Sequence, residues 1–242
     1  NTYMYCTDQI ALNDSYDTYY VTSLNSSSKK LSGSWTTYSS GGGQGGPGGP
    51  MGGGMNEGNS EKETYSCKGI KADNSIIIND GVIDIQSRDD GLHTNSDVLL
   101  DTGSYGTAEI TINGGNITIY SDDDGIHSDN KLTIKNGNIV ITNSYEGIEG
   151  SQIIFDGGTT QLKAKDDGIN AKSTLTINDG IVYLDAGGDG FDSNGNIIMN
   201  GGVALAVGPS NGGNGVLDFD RSFTFNGGVL LAIGASGMNQ RP

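Results

Sequence analysis

From about Tyr65 onward the apolar residues of this chain come in pairs two positions apart, and the pairs return at a fixed interval. Ile76/Ile78, Ile110/Ile112, Leu132/Ile134, Ile153/Phe155, Leu175/Ile177, Ile197/Met199 and Phe223/Phe225 form one such series. Residues i and i+2 of an extended chain share a face, so each pair predicts a short strand with one buried side. A glycine follows each pair at Gly81, Gly115, Gly137, Gly158, Gly180, Gly202 and Gly228, with successive spacings of 34, 22, 21, 22, 22 and 26. After that glycine a second alternating pair appears in most repeats, as in Ile83/Ile85, Ile117/Ile119, Ile139/Ile141 and Val182/Leu184. A second glycine series, Gly69, Gly91, Gly125, Gly147, Gly168 and Gly190, precedes a single apolar residue that marks a third, shorter strand.

Three short strands in 21–22 residues, separated by glycine turns, predict one coil of a parallel β-helix. Like positions stack about 4.8 Å apart and bury a continuous ladder. The expected architecture is therefore all-β: a right-handed, single-stranded parallel β-helix, or solenoid, of about seven coils. Its longer intervals predict loop insertions near Leu99–Ala108 and Pro209–Gly215. Three segments are expected along the chain: a Tyr/Ser/Thr-rich arm or cap at 1–40, a Gly-rich flexible loop at 41–64, and the β-helix at 65–242.

Composition narrows the function. The chain has 242 residues with 41 glycines, and its 29 acids against 13 Lys and Arg give a formal net charge of −16. Such a balance excludes a basic patch for nucleic acid and gives no attraction to anionic membranes. No run of about 18 apolar residues predicts membrane insertion. Without an initiator Met or signal peptide in view, the sequence reads as a mature or trimmed soluble protein. Its Gly/Asn/Ser/Thr-rich acidic character, with only Cys6 and Cys67, suits a secreted or cell-surface location. The two cysteines suit one disulfide, with free thiols as the alternative.

The candidate chemistry lies beside the second glycine series. An acid precedes the glycine in five consecutive coils, at Asp90, Asp124, Glu146, Asp167 and Asp189, often with another before it, as at Asp89, Asp123 and Asp166. Two positions after the glycine come His93, His127, Glu149, Asn170 and Asp192, on the strand face opposite the buried column. Asp-Gly is good turn chemistry in its own right. Carboxylates superimposed at the stacking distance nevertheless repel, by about 1 kcal/mol in water and about 4 kcal/mol at an effective dielectric of 20. Ca²⁺, which takes 6–8 oxygen ligands in flexible geometry, is the expected counter-ion. His93 and His127 are expected to stack or hydrogen-bond at the surface rather than hold zinc.

The strings KGIKAD (Lys68–Asp73), DDGIHSD (Asp123–Asp129), YEGIEG (Tyr145–Gly150) and DDGINA (Asp166–Ala171) resemble a family of bacterial carbohydrate-binding β-helix proteins, secreted or at the cell surface and akin to pectate-lyase-like β-helices. The resemblance implies binding of cellulose or acidic sugars with calcium stacked along the helix. It implies metal ligands at Asp89, Asp90, Asp123, Asp124, Glu146, Glu149, Asp166, Asp167, Asp189 and Asp192, to which the oxygen column adds Asn170.

Three functions follow as expectations. The first is calcium-dependent binding of an acidic, polygalacturonate-like or cell-wall polysaccharide, with Tyr120, Tyr145, Lys165 and Arg88 as sugar contacts. The second is a structural surface, filament or coat role, with self-assembly through the helix ends or the N-terminal arm. The third is weak polysaccharide lyase activity, using a base among Lys163, Lys165, Arg88 and Lys71.

Overall fold

The computed structural model describes residues 67–96, 103–210, 212–235 and 237–242, together with the strands Thr2–Tyr5 and Thr18–Val21. Every paired strand runs parallel to its neighbour, and the described residues contain no helix. The chain winds through about seven turns of a β-solenoid, as the period predicts.

Each coil contributes a short strand, a second strand after a corner, and a third after the glycine turn. In the first coil these are Ile70–Ala72, Ser75–Ile78 and Val82–Ser87. In the three central coils the first two strands fuse around the corner into Ile126–Ile134, Ile148–Phe155 and Ile169–Ile177. Register is kept from coil to coil, so Ile110 lies against Ile76 on one side and Leu132 on the other. The inward positions form a dry aliphatic ladder in which Ile76, Ile110, Leu132, Ile153 and Leu175 are all 0 % exposed.

The two glycine series serve different ends. Those after the apolar pairs all have positive φ, from 75° at Gly202 to 122° at Gly81, the backbone region that glycine enters without steric penalty. The second series is fixed by crowding instead. A Cβ on Gly91 would stand 2.5 Å from the Gly125 carbonyl oxygen of the next coil, closer than a side-chain carbon can approach. At the corner after Ile78 an amide ladder links coils: Asn113 donates to Asn79, Asn200 to Asn178 and Asn226 to Asn200, at 2.7–2.9 Å.

Two strands of the N-terminal region continue the stack. Thr2–Tyr5 pairs with Val82–Ser87, and Thr18–Val21 pairs with Ser75–Ile78. The rest of the expected arm, the Gly-rich loop, Cys6 and the front of the first insertion lie outside the described residues. Cys67 is buried and disulfide-bonded.

Candidate functional site

The turn between the third strand of one coil and the short strand of the next is built by the crowded glycines. The amide of Gly91 donates to Asp124 O at 2.9 Å, that of Gly125 to Glu146 O at 2.9 Å and that of Gly147 to Asp167 O at 2.9 Å. Gly69 and Gly168 do the same toward Asp90 and Asp189, and Gly190 toward Gly215. These bonds superimpose the residues before each glycine into one column: Lys68, Asp90, Asp124, Glu146, Asp167, Asp189 and Gly215. Beside it runs a second column, set by strand register: Lys71, His93, His127, Glu149, Asn170, Asp192 and Asp218. The stacking of carboxylates expected from the sequence is present.

The two ends of this double column differ in charge. In the early coils the acids meet cations from the chain itself. Lys68 Nζ lies 2.6 Å from Asp89 and 2.8 Å from Asp90. Burial opposes charge on all three groups, but mutual attraction holds Lys68 above its ordinary pKa and both aspartates below theirs. His93 Nδ1 contacts Asp90 at 2.6 Å, and its ring stacks on His127 with centroids 4.9 Å apart.

His127 is the centre of this region. Its Nδ1 lies 2.8 Å from Glu149 and 3.0 Å from Asp124, while Nε2 lies 3.2 Å from Asp129. Burial disfavours the imidazolium, yet the hydrogen bonds to Asp124 and Glu149 outweigh it and push the pKa up to about 10. Glu149, held by His127 and by Lys172 at 2.8 Å, falls to about 2. Burial lowers the pKa of His93, whose neighbours Lys68 and His127 are already charged. The stacked pair is thus one neutral ring on one cation. Both rings are largely enclosed, with side-chain exposures of 12 % and 15 %, which corrects the expectation that they sit at the surface.

Past His127, Lys172 serves Glu149 and the other acids of the column go uncompensated among the described residues. Glu146, Asp167, Asp189 and Asp192 form no ion pair with any described residue. Burial first, then repulsion among neighbouring carboxylates, pushes Glu146 and Asp192 up to about 7 and Asp167 up to about 6; Asp189 moves in the same direction. All donors here are oxygens or amides. Asn170 donates through Nδ2 to Glu146 at 3.2 Å, leaving its enclosed Oδ1 without a hydrogen-bond partner. Gly188 leaves a small cradle: a Cβ there would lie 2.4 Å from an oxygen of both Asp166 and Asp167.

Three groups among the described residues bring one ligand atom each within 4.8 Å of one another: Asp90/His93/His127, Asp124/His127/Glu149 and Asp89/Asp90/Asp123. In each, Lys68 or His127 already contacts at least one of the carboxylates. The sugar-contact candidates flank the column: Tyr120 and Tyr145 are 46 % and 47 % exposed, and Lys165 and Arg88 are exposed. The Asp166 carboxylate beside its hydroxyl raises the Tyr145 pKa. Of the basic residues considered as a lyase base, Lys163 lies 4.0 Å from Asp185 as a surface ion pair and Lys71 3.9 Å from the buried Asp73.

Sequence reasoning missed Lys68, Lys172, Asp129 and Asp218. The signal for Lys68 was available, because KGIKAD aligned on DDGIHSD puts lysine where later coils carry the acid.

A family model described as carbohydrate-binding domain-containing protein matches residues 30–109, 102–147 and 140–240. The chain belongs to this family. Membership indicates a carbohydrate partner, and the matched region takes in the whole double column. No curated protein and no solved structure shows a match.

Proposed function

We propose that this member of the carbohydrate-binding family binds an acidic polysaccharide through calcium held on the later half of the column. The observation that carries the reading is the set of stacked carboxyl groups of Glu146, Asp167, Asp189 and Asp192, which lack any described cationic partner. A chain of net charge −16 has no direct attraction for a polyuronide. A divalent ion shared between protein and sugar carboxylates supplies it.

The residues fit calcium. Their donors are hard oxygens, of which calcium takes six to eight in flexible geometry, and the unpartnered Asn170 Oδ1 adds a neutral ligand. Glu146, Asp167, Asn170, Asp189 and Asp192 would supply the calcium ligands. Asp89, Asp90 and Asp124, which already face Lys68 or His127, would hold it less well. When bound, calcium supplies charge neutralisation and a bridging coordination position. Tyr120 and Tyr145 present exposed rings beside the column for the sugar.

The test is calcium titration by calorimetry with polygalacturonate pull-down, on the native chain and on Asp167→Asn/Asp192→Asn. Calcium affinity should fall at least tenfold in the double variant, and EDTA should release the polysaccharide from the native chain. Polysaccharide retained undiminished in EDTA removes calcium from the reading.

A further inference from the structure

The outward positions of the third strands tell a separate story. In the earlier coils they are mostly polar, with Val82 and Val140 as isolated apolar residues: Asn116 and Thr118 lie in register with Asn138 and Val140, and those with Thr159 and Gln161. From the fifth coil the same positions turn apolar. Ile181 and Tyr183 follow Thr159 and Gln161. Val203, Leu205 and Val207 lie against them in the sixth coil, and Val229, Leu231 and Ile233 in the seventh. These side chains contribute nothing to the core. Val229, Leu231 and Ile233 are 55 %, 51 % and 56 % exposed, Ile181 45 % and Val207 37 %.

We propose that this face is the interface of a two-fold dimer of the chain, sheet packed on sheet. Three features select a second copy as the occupant. First, the face carries no unpaired charge: its one acid, Asp185, already has Lys163 of its own chain at 4.0 Å. Two copies therefore meet without burying an uncompensated group. Second, net charge disfavours most contacts between chains of −16, but residues 216–242 hold two acids, Asp218 and Asp220, and two arginines, Arg221 and Arg241, for a net of zero. Val229, Leu231 and Ile233, the most exposed row of the face, sit on this neutral end. Third, area suffices: the exposures amount to on the order of 500 Å² per copy, so a pair buries about 1,000 Å², at the lower limit for a specific interface. Two flat faces of branched aliphatics pack at about 10 Å with strands roughly 30° apart.

Sedimentation velocity over a dilution series tests this, comparing the native chain with Leu205→Glu/Leu231→Glu, with the milder Val207→Glu, and with Asn116→Glu as a control in the same row three coils before Ile181. The native chain and the control should dimerise with a dissociation constant on the order of micromolar. The double variant should be monomeric, its dimer weakened at least 100-fold, and Val207→Glu intermediate. All variants should keep the native far-ultraviolet spectrum and calcium binding, because the substituted side chains point outward. A native chain that stays monomeric at about 100 µM overturns the proposal. So does a dimer that persists unchanged in Val207→Glu and the double variant.

Discussion

Thr160 occupies an inward place in the aliphatic ladder, in register with Ile139 on one side and Val182 on the other. It is 1 % exposed, and its hydroxyl finds no partner. An enclosed, unsatisfied hydroxyl costs about 1–3 kcal/mol, and valine has the same branched shape. Thr160→Val should therefore stabilise the protein by about 1 kcal/mol or more, read as a raised urea midpoint at unchanged slope. The departure from pattern was visible in the sequence, since this coil lacks the aliphatic pair found in its neighbours. That the hydroxyl is orphaned was not visible, because a partner from an adjacent coil is a property of the stack.

At the scale of the column, protonation and stability are linked with a definite sign. Glu146, Asp167 and Asp192 have folded pKa values of about 7, 6 and 7, above their ordinary values of 4.5, 3.8 and 3.8. Between those limits the folded chain binds more protons than the unfolded chain, so stability falls as pH rises from about 4 to about 7. His127 works in its own window: raised to about 10 from 6.5, it contributes fully below 6.5, and that contribution is lost as pH climbs through 10. In EDTA the midpoint of thermal unfolding should decline steadily from pH 5 to pH 8. Millimolar calcium should flatten the decline by taking the protons' place. A calcium-free profile that rises from pH 5 to pH 8 would contradict the assignment. The period, the columns and the carboxylate stack were legible because inward and turn positions must recur coil by coil. The pairings of Lys68 and Lys172 were not, although the place of Lys68 in the column was visible, because each neutralises acids one coil away and a lysine in isolation reads as an ordinary surface group.

For the whole molecule, nearest-neighbour stacking makes stability a sum over coils and their interfaces. The three central coils have fused, unbroken strands of eight or nine residues and a neighbour on each side. The last coil has Leu230 and Ala232 only half-buried. Amide exchange should therefore be slowest in 126–177 and fastest in 217–233, with protection falling gradually toward the C-terminal end rather than at one boundary. Equal protection across all coils would show a single cooperative unit instead. The acidic column is also closed off at both ends, by the ammonium of Lys68 and by the Gly215 amide that donates to Asp189. Its length is thus a free variable. Excising one whole turn, residues 147–167, would rejoin Glu146 to Gly168 in the same register and leave both stoppers in place. The result is a shorter rack with one fewer rung, and under the calcium proposal the number of ions bound should fall with the number of turns threaded between fixed terminals.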